Sequence, residues 1–150
     1  MDKLSAFEMD FNNHTAKFES ELPLEEEILE IIFIDRNNIF LKLSTKFIKY
    51  DLEFQTTHEI KFFTLNNNFK VEISDVTSLY FNEKITFKIN NNVYYFGLIA
   101  SEQGELYISK EINENNEEKD YEITCELIRN FGEKILKLYV NNFINFSLKR

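Results

Sequence analysis

Apolar and polar side chains alternate along much of this chain, most clearly between residues 84 and 100. Ile85, Phe87 and Ile89 alternate with polar residues, and an Asn triplet then leads into a second run rich in aromatic side chains. A period of two places the apolar residues on one face of a strand. Asn tolerates the positive φ of a tight turn, so the stretch predicts a β-hairpin. We expect this hairpin to lie at the centre of a sheet.

Residues 1–27 predict a separate N-terminal hairpin or extension. Two alternating runs, Ala6–Phe11 and Ala16–Leu22, flank an Asn pair, and Pro23 ends the second run because it cannot donate to a ladder. The residues that follow, 24–29, favour one helical turn, since Pro23 lies near its start and acidic side chains suit the positive end of a helix dipole.

Residues 28–150 predict a β-rich domain with a C-terminal helix. Short alternating runs separated by Asn pairs or triplets indicate consecutive strands, and residues 111–120 predict an acidic loop. Residues 131–148 fit two patterns. A period of 3.6 separates an apolar from a polar face and favours a helix, whereas a period of two favours two strands around Asn141 and Asn142. We predict the helix, and a mostly β fold that is an antiparallel barrel or meander.

Composition and charge narrow the classes of partner. The chain has 150 residues, a net charge of −9, 16 Phe and 7 Tyr, but 3 Gly and 1 Pro. An acidic chain is a poor match for nucleic acid or an anionic membrane surface, and it suits a basic protein partner. One cysteine forms no internal disulfide, the first residues are too polar for a signal peptide, and no apolar run reaches membrane-spanning length. These features predict a cytoplasmic protein.

Catalytic and metal-binding patterns are missing from the sequence. His14 and His58 begin no metal motif, and Cys125 falls on the apolar positions of its predicted strand. Three glycines do not build a phosphate-binding loop, and no Ser stands in a nucleophile turn. We therefore expect neither an enzyme nor a cofactor.

Two groups of residues are candidates for an interaction surface. An aromatic cluster could stack against a sugar or a peptide, and a run of glutamates could meet a basic partner. The first hypothesis is a non-enzymatic interaction module or adaptor, and the alternative is a β-sandwich that binds a small ligand or carbohydrate through the tyrosines. The candidate residues are Tyr94, Tyr95, Tyr107, Glu25, Glu26 and Glu27.

A resemblance to a known family covers roughly residues 60–150. Residues 73–81, ISDVTSLYF, resemble the (D/N)xSxxG strand of bacterial PilZ domains, with Thr77 at the Ser position. Residues 121–127 and the amphipathic stretch after them are similar to the last barrel strand and C-terminal helix of that family. Tyr80 stands where the family has Gly, and the chain has no RxxxR motif.

The resemblance implies a barrel without a working cyclic di-GMP site. In the family, the arginines of RxxxR grip the phosphates of the dinucleotide, and such binding depends on bidentate cationic donors. The arginines of this chain are the widely separated Arg36, Arg129 and Arg150. Without the nucleotide site, the resemblance implies a barrel that is used for protein contacts.

Calorimetric titration of the protein at micromolar concentration with cyclic di-GMP should give no saturable heat. The chain carries a net negative charge, which repels the phosphates of the dinucleotide. It also lacks, after Thr77, the glycine at which the backbone could approach a ligand closely. A saturable titration would contradict this expectation, because it would require Arg36 and a lysine to meet beside the strand that carries Thr77.

Overall fold

The computed structural model describes residues 2–10, 12–33, 37–89, 91–115, 120–140 and 146–149, and these residues form strands and turns with no helix. The mostly β expectation is therefore confirmed. The first seven strands are β1 (Asp2–Asp10), β2 (Thr15–Leu24), β3 (Ile28–Phe33), β4 (Asn38–Leu43), β5 (Phe47–Asp51), β6 (Thr56–Asn66) and β7 (Phe69–Glu72). The remaining six are β8 (Val76–Ile89), β9 (Asn92–Ser101), β10 (Glu105–Asn115), β11 (Asp120–Asn130), β12 (Lys137–Val140) and β13 (Phe146–Lys149).

Two antiparallel meanders build the main sheet. Strands β3 to β6 form one, strands β8 to β11 form the other, and the sheet order is β3-β4-β5-β6-β11-β10-β9-β8. The last strands of the two meanders pair in parallel, from Glu59 beside Asp120 to Thr64 beside Cys125. The predicted antiparallel pairing holds within each meander and is wrong at this junction, where the final strands of the two meanders lie side by side and run in the same direction.

The main sheet curls into a nearly closed barrel-like shape around an apolar interior. The end strands β3 and β8 approach each other without a ladder in the described residues. Side chains span this seam: Lys42 Nζ donates to the Thr77 carbonyl over 2.6 Å, and the rings of Phe40 and Phe81 meet edge to face at 5.0 Å. The interior contains buried side chains from all eight strands of the path, so it is a packed core.

Terminal segments cover two outer faces of the sheet. Leu4 and Leu24 of the N-terminal hairpin pack with residues of β3 to β5, and Ile135 and Leu138 pack with residues of β8 to β10. Strands β4 and β5 are therefore buried on both sides. Double burial explains the nearly continuous apolar run of β4.

The predicted C-terminal helix was wrong over residues 131–140, which hold no helix; residues 141–145 lie outside the described residues. Gly132 has a φ of +71°, which interrupts a right-handed helix at its start. The Leu138 amide donates to the buried Ser78 hydroxyl over 3.0 Å, whereas a helix would direct it to the carbonyl four residues earlier. Tertiary contacts with β8 thus satisfy a backbone group that a helix would satisfy internally.

Three further sequence expectations need correction. The hairpin of β8 and β9 forms as predicted, but β8 is the last strand of the sheet and does not lie at its centre. Residues 24–29 hold no helical turn, because β2 runs to Leu24 and β3 begins at Ile28. The predicted loop 111–120 is partly strand: β10 reaches Asn115 and β11 begins at Asp120.

The tip of the β6–β7 hairpin follows the turn chemistry of asparagine. Asn66 pairs with Phe69, which leaves the two-residue loop Asn67-Asn68, with φ values of 50° and 68°. Positive φ at both central residues is typical of a type I′ turn, whose twist matches that of the flanking strands. The sequence predicts a turn at the Asn triplet 66–68, and this prediction is confirmed.

Gly97 on β9 makes room for an aromatic ring of the interior. It pairs with Phe81 of β8, and a Cβ at position 97 would lie 2.4 Å from Phe81 Cε1. The room for this ring to move is limited, since the Phe40 ring contacts it edge to face at 5.0 Å. The interior therefore requires a residue without a side chain here.

Gly97→Ala should lower the free energy of unfolding by about 1–3 kcal/mol, the usual effect of overpacking a core. Chemical denaturation of the wild type and the variant gives this difference. Phe81→Leu should recover part of it in the double variant, because the two positions are in contact and their effects are not additive. Equal stabilities of wild type and Gly97→Ala would show that the Phe81 ring moves freely.

Candidate functional site

The acidic run at residues 25–27 connects β2 to β3, and its middle member is built into the fold. The Glu26 carboxylate accepts hydrogen bonds from the Ser44 hydroxyl at 2.9 Å and from the Thr45 amide at 2.9 Å. The Thr45 hydroxyl donates to the same oxygen, and Lys46 Nζ lies 3.5 Å from the other oxygen. Glu26 therefore secures the turn between β4 and β5.

These contacts favour the charged form of Glu26. Chiefly because the Thr45 hydroxyl donates to it, the pKa of the Glu26 carboxyl falls below its usual value of 4.5. The neighbouring Glu25 and Glu27 are exposed. Of the three predicted contact glutamates, these two face solvent and Glu26 has a structural role.

Of the predicted tyrosine cluster, the structure describes the side chain of Tyr107. Tyr107 of β10 is 4% exposed and belongs to the interior core, and its hydroxyl donates to the Glu105 carboxylate. Burial, followed by this hydrogen bond, raises the pKa of Tyr107 above its usual value of 10.0. Tyr94 and Tyr95 belong to β9, and their side chains lie outside the described part of the structure. Tyr107 thus lies in the core and offers no exposed ring for stacking.

Thr77, the residue at the Ser position of the PilZ-like motif, has its hydroxyl directed to the backbone. The hydroxyl donates to the Ile135 carbonyl over 2.6 Å, and the Ala100 carbonyl lies 3.3 Å away. Arg36 lies outside the described residues, and the Arg129 guanidinium is 4.8 Å from the ring centre of Phe131. The observed role of the Thr77 hydroxyl is to hold the C-terminal segment on β8.

Cys125 is a buried interior side chain of β11. It is 3% exposed, and its Sγ lies 3.7 Å from the Ile123 carbonyl. Burial raises the pKa of the thiol to about 12, so the thiolate is scarce near neutral pH. Within the described ranges, no three His, Cys, Asp or Glu side chains are grouped as metal ligands.

The outer face of β6 and β11 lies outside both terminal coverings. Its charged residues form cross-strand contacts: Lys70 Nζ lies 2.5 Å from the Glu122 carboxylate and 4.7 Å from the ring centre of Phe63. Lys110 Nζ lies 2.7 Å from the Glu126 carboxylate. These pairs are exposed, so each contributes little to stability.

Large apolar side chains stay exposed where β6 and β11 end and where β7 begins. Phe69 is 75% exposed although it alternates with polar residues like a core residue, and Leu65 and Leu127 line a groove of about 530 Å³. Leu65 pairs with Lys70, so Phe69 and Val71 lie on the opposite face of the hairpin, and apolar side chains are exposed on both of its faces. Large exposed apolar side chains on a folded surface are typical of a contact site. We call this group the open patch: Leu65, Phe69, Val71, Leu127 and Ile128.

A second concavity opens where β5 and β7 both flank β6. Its volume is about 200 Å³, and its lining combines apolar core residues with charged and hydroxyl side chains. Strand β5 pairs with the first half of β6 and β7 with the last four residues, which leaves a gap between them. The gap arises because β5 and β7 pair with the same edge of β6, β5 up to Ile60 and β7 from Phe63 onward.

Sequence reasoning missed the open patch. Phe69 and Val71 alternate with Lys70 and Glu72, a pattern usually produced by one buried face. Both faces of β7 are exposed here, because the hairpin extends past the packed interior. The available signal was the turn at residues 66–68, which limits β7 to a short hairpin arm.

Comparisons of this chain with protein-family models, curated proteins and solved structures find no match. In the part of the chain that the structure describes, no helix has the length and apolar character needed to cross a membrane. The function is therefore argued from the surface of this chain itself.

Glu26→Gln should lower the melting temperature at pH 7. The native carboxyl has a lowered pKa, so its contribution to stability is present above the unfolded-state pKa and is lost as the pH falls through the folded-state value. The difference between wild type and variant should therefore shrink below about pH 4.5. Glu25→Gln is the matched control, and an equal effect of both substitutions on thermal melts at pH 7 would contradict the role given to Glu26.

Proposed function

We propose that this protein is a non-enzymatic interaction module that binds a protein partner through the open patch. The observation that carries the proposal is the exposure of Leu65, Phe69, Val71, Leu127 and Ile128 at the ends of three neighbouring strands. Two other outer faces of the same sheet are covered by terminal segments of the chain. A surface of this kind buries apolar area when a partner covers it.

The charge of the chain supports a basic partner. A net charge of −9 attracts a basic protein over long range and repels a second copy of the same chain. The open patch is bordered by Glu72, Glu122 and Glu126 as well as by lysines. Association should therefore be faster at low ionic strength than at high ionic strength.

The environments of the candidate reactive groups support a role without catalysis. The Cys125 thiol is buried with a raised pKa, the Thr77 hydroxyl donates to a backbone carbonyl, and Tyr107 lies in the core. These contacts give the three groups structural roles in packing and hydrogen bonding. The same use of Thr77, together with the half-buried Tyr80 at the position where PilZ domains have Gly, supports the absence of a cyclic di-GMP site.

Phe69→Ser should abolish capture of the partner, because the most exposed apolar side chain of the patch is removed. Tagged protein is incubated with lysate of the native host, and captured proteins are identified by mass spectrometry. Phe54→Ser is the matched control: Phe54 is 71% exposed and Phe69 is 75% exposed, but Phe54 lies in the turn between β5 and β6.

The proposal requires one basic protein that the wild type and Phe54→Ser retain and Phe69→Ser loses. Raising the salt concentration from 0.05 to 0.5 M should weaken its capture. Circular dichroism and thermal melts establish that all three proteins are folded. Retention of the same partners by both variants would rule out the open patch as the contact surface.

A further inference from the structure

We infer that the partner contributes an extended strand that pairs with the free edge of β11 from Glu126 to Asn130. This inference rests on the proposed function and specifies how the open patch is used. Residues 120–125 of β11 have β6 on one side and β10 on the other. Over residues 126–130 the described structure pairs β11 with β10 alone.

The free edge arises from the divergence of the two parallel strands. The ladder between β6 and β11 ends at Thr64 and Cys125, although β6 continues to Asn66 in its hairpin with β7. Among the described residues, no ladder pairs the β6-facing backbone groups of β11 beyond Cys125. Unpaired edges of this kind are templates for strand addition.

Side chains suited to an added strand lie beside this edge. Leu65 and Leu127 line the groove where the strands separate, and Ile128 is exposed next to them. A β-bulge between Leu127 and Arg129 interrupts the pairing with β10 and increases the local twist, so the added strand is short. Backbone hydrogen bonds would supply affinity, and the apolar side chains would select apolar residues at alternate positions.

Charge selects a basic peptide as the occupant of the edge. The groove holds Glu111, Glu126 and Lys110, and Lys110 pairs with Glu126. Arg129 lies on the edge itself, so the attraction of a basic peptide comes from Glu111 and from the net charge of −9. A second copy of the chain is a poor occupant, because antiparallel self-pairing centred on Ile128 sets Leu127 against Arg129 and brings together two chains of net charge −9. A strand that alternates apolar residues with Lys or Arg places apolar side chains in the groove and positive charges beside an acidic protein.

Amide hydrogen exchange on the full chain tests the inference. The probe is a seven-residue peptide of alternating Val and Lys with blocked ends, added to isotope-labelled protein and followed by NMR. Exchange should slow by roughly 10-fold or more at alternate amides within residues 126–130, because an added strand protects only the amides that face it. The same peptide with N-methyl groups on alternate amides keeps its side chains and should give no protection.

A substitution in the groove separates strand addition from charge attraction alone. Leu65→Lys should weaken peptide binding by roughly 10-fold, because it places a like charge where an apolar contact is expected. Phe54→Lys adds the same charge at an exposed site in the turn between β5 and β6 and should have little effect.

Unchanged exchange at residues 126–130 in the presence of the peptide would overturn strand addition, whether or not the peptide binds elsewhere. Equal protection by the N-methylated peptide would overturn it too. Neither result decides the proposed function, which stands or falls on the comparison of Phe69→Ser with Phe54→Ser.

Discussion

The parallel ladder between β6 and β11 joins two antiparallel meanders whose other strands pair only within their own meander, among the described residues. The ladder pairs Glu59 with Asp120, so its formation carries the loop-closure entropy of a contact between distant parts of the chain. Once it has formed, the remaining edges of β3 and β8 are brought together, and side chains such as Lys42 span the seam. The enclosed interior exists only because this ladder holds the two meanders in one sheet.

The way in which terminal segments cover the outer faces of the sheet follows from its division into two meanders. Each meander exposes an apolar outer face, and a terminal segment covers each one: Leu24 packs against β3 to β5, while Ile135 packs against β8 to β10. The junction of the meanders receives neither segment. The open patch and the free edge of β11 are therefore consequences of where β6 and β11 separate, and both proposals concern that single place.

The candidate residues illustrate why chemistry cannot be assigned from residue type alone. Glu26 lies in an acidic run that suggests a contact surface, yet its carboxylate accepts three hydrogen bonds from the turn between β4 and β5. Tyr107 belongs to an aromatic cluster by sequence and to the core by position. In both cases a group from a distant part of the chain determines the role, since hydrogen bonding and burial depend on tertiary contacts.

The alternation of apolar residues by itself determined the β class and most hairpins, including β8 with β9, because side-chain direction alternates locally along any strand. Asparagines at positions such as 67 and 68 determined turns, since positive φ is a property of the residue. Only the tertiary structure decided that residues 131–140 are not a helix, because the Leu138 amide donates to the Ser78 hydroxyl of β8. It alone also left Phe69 exposed, because whether an apolar side chain is buried depends on which distant strand packs over it.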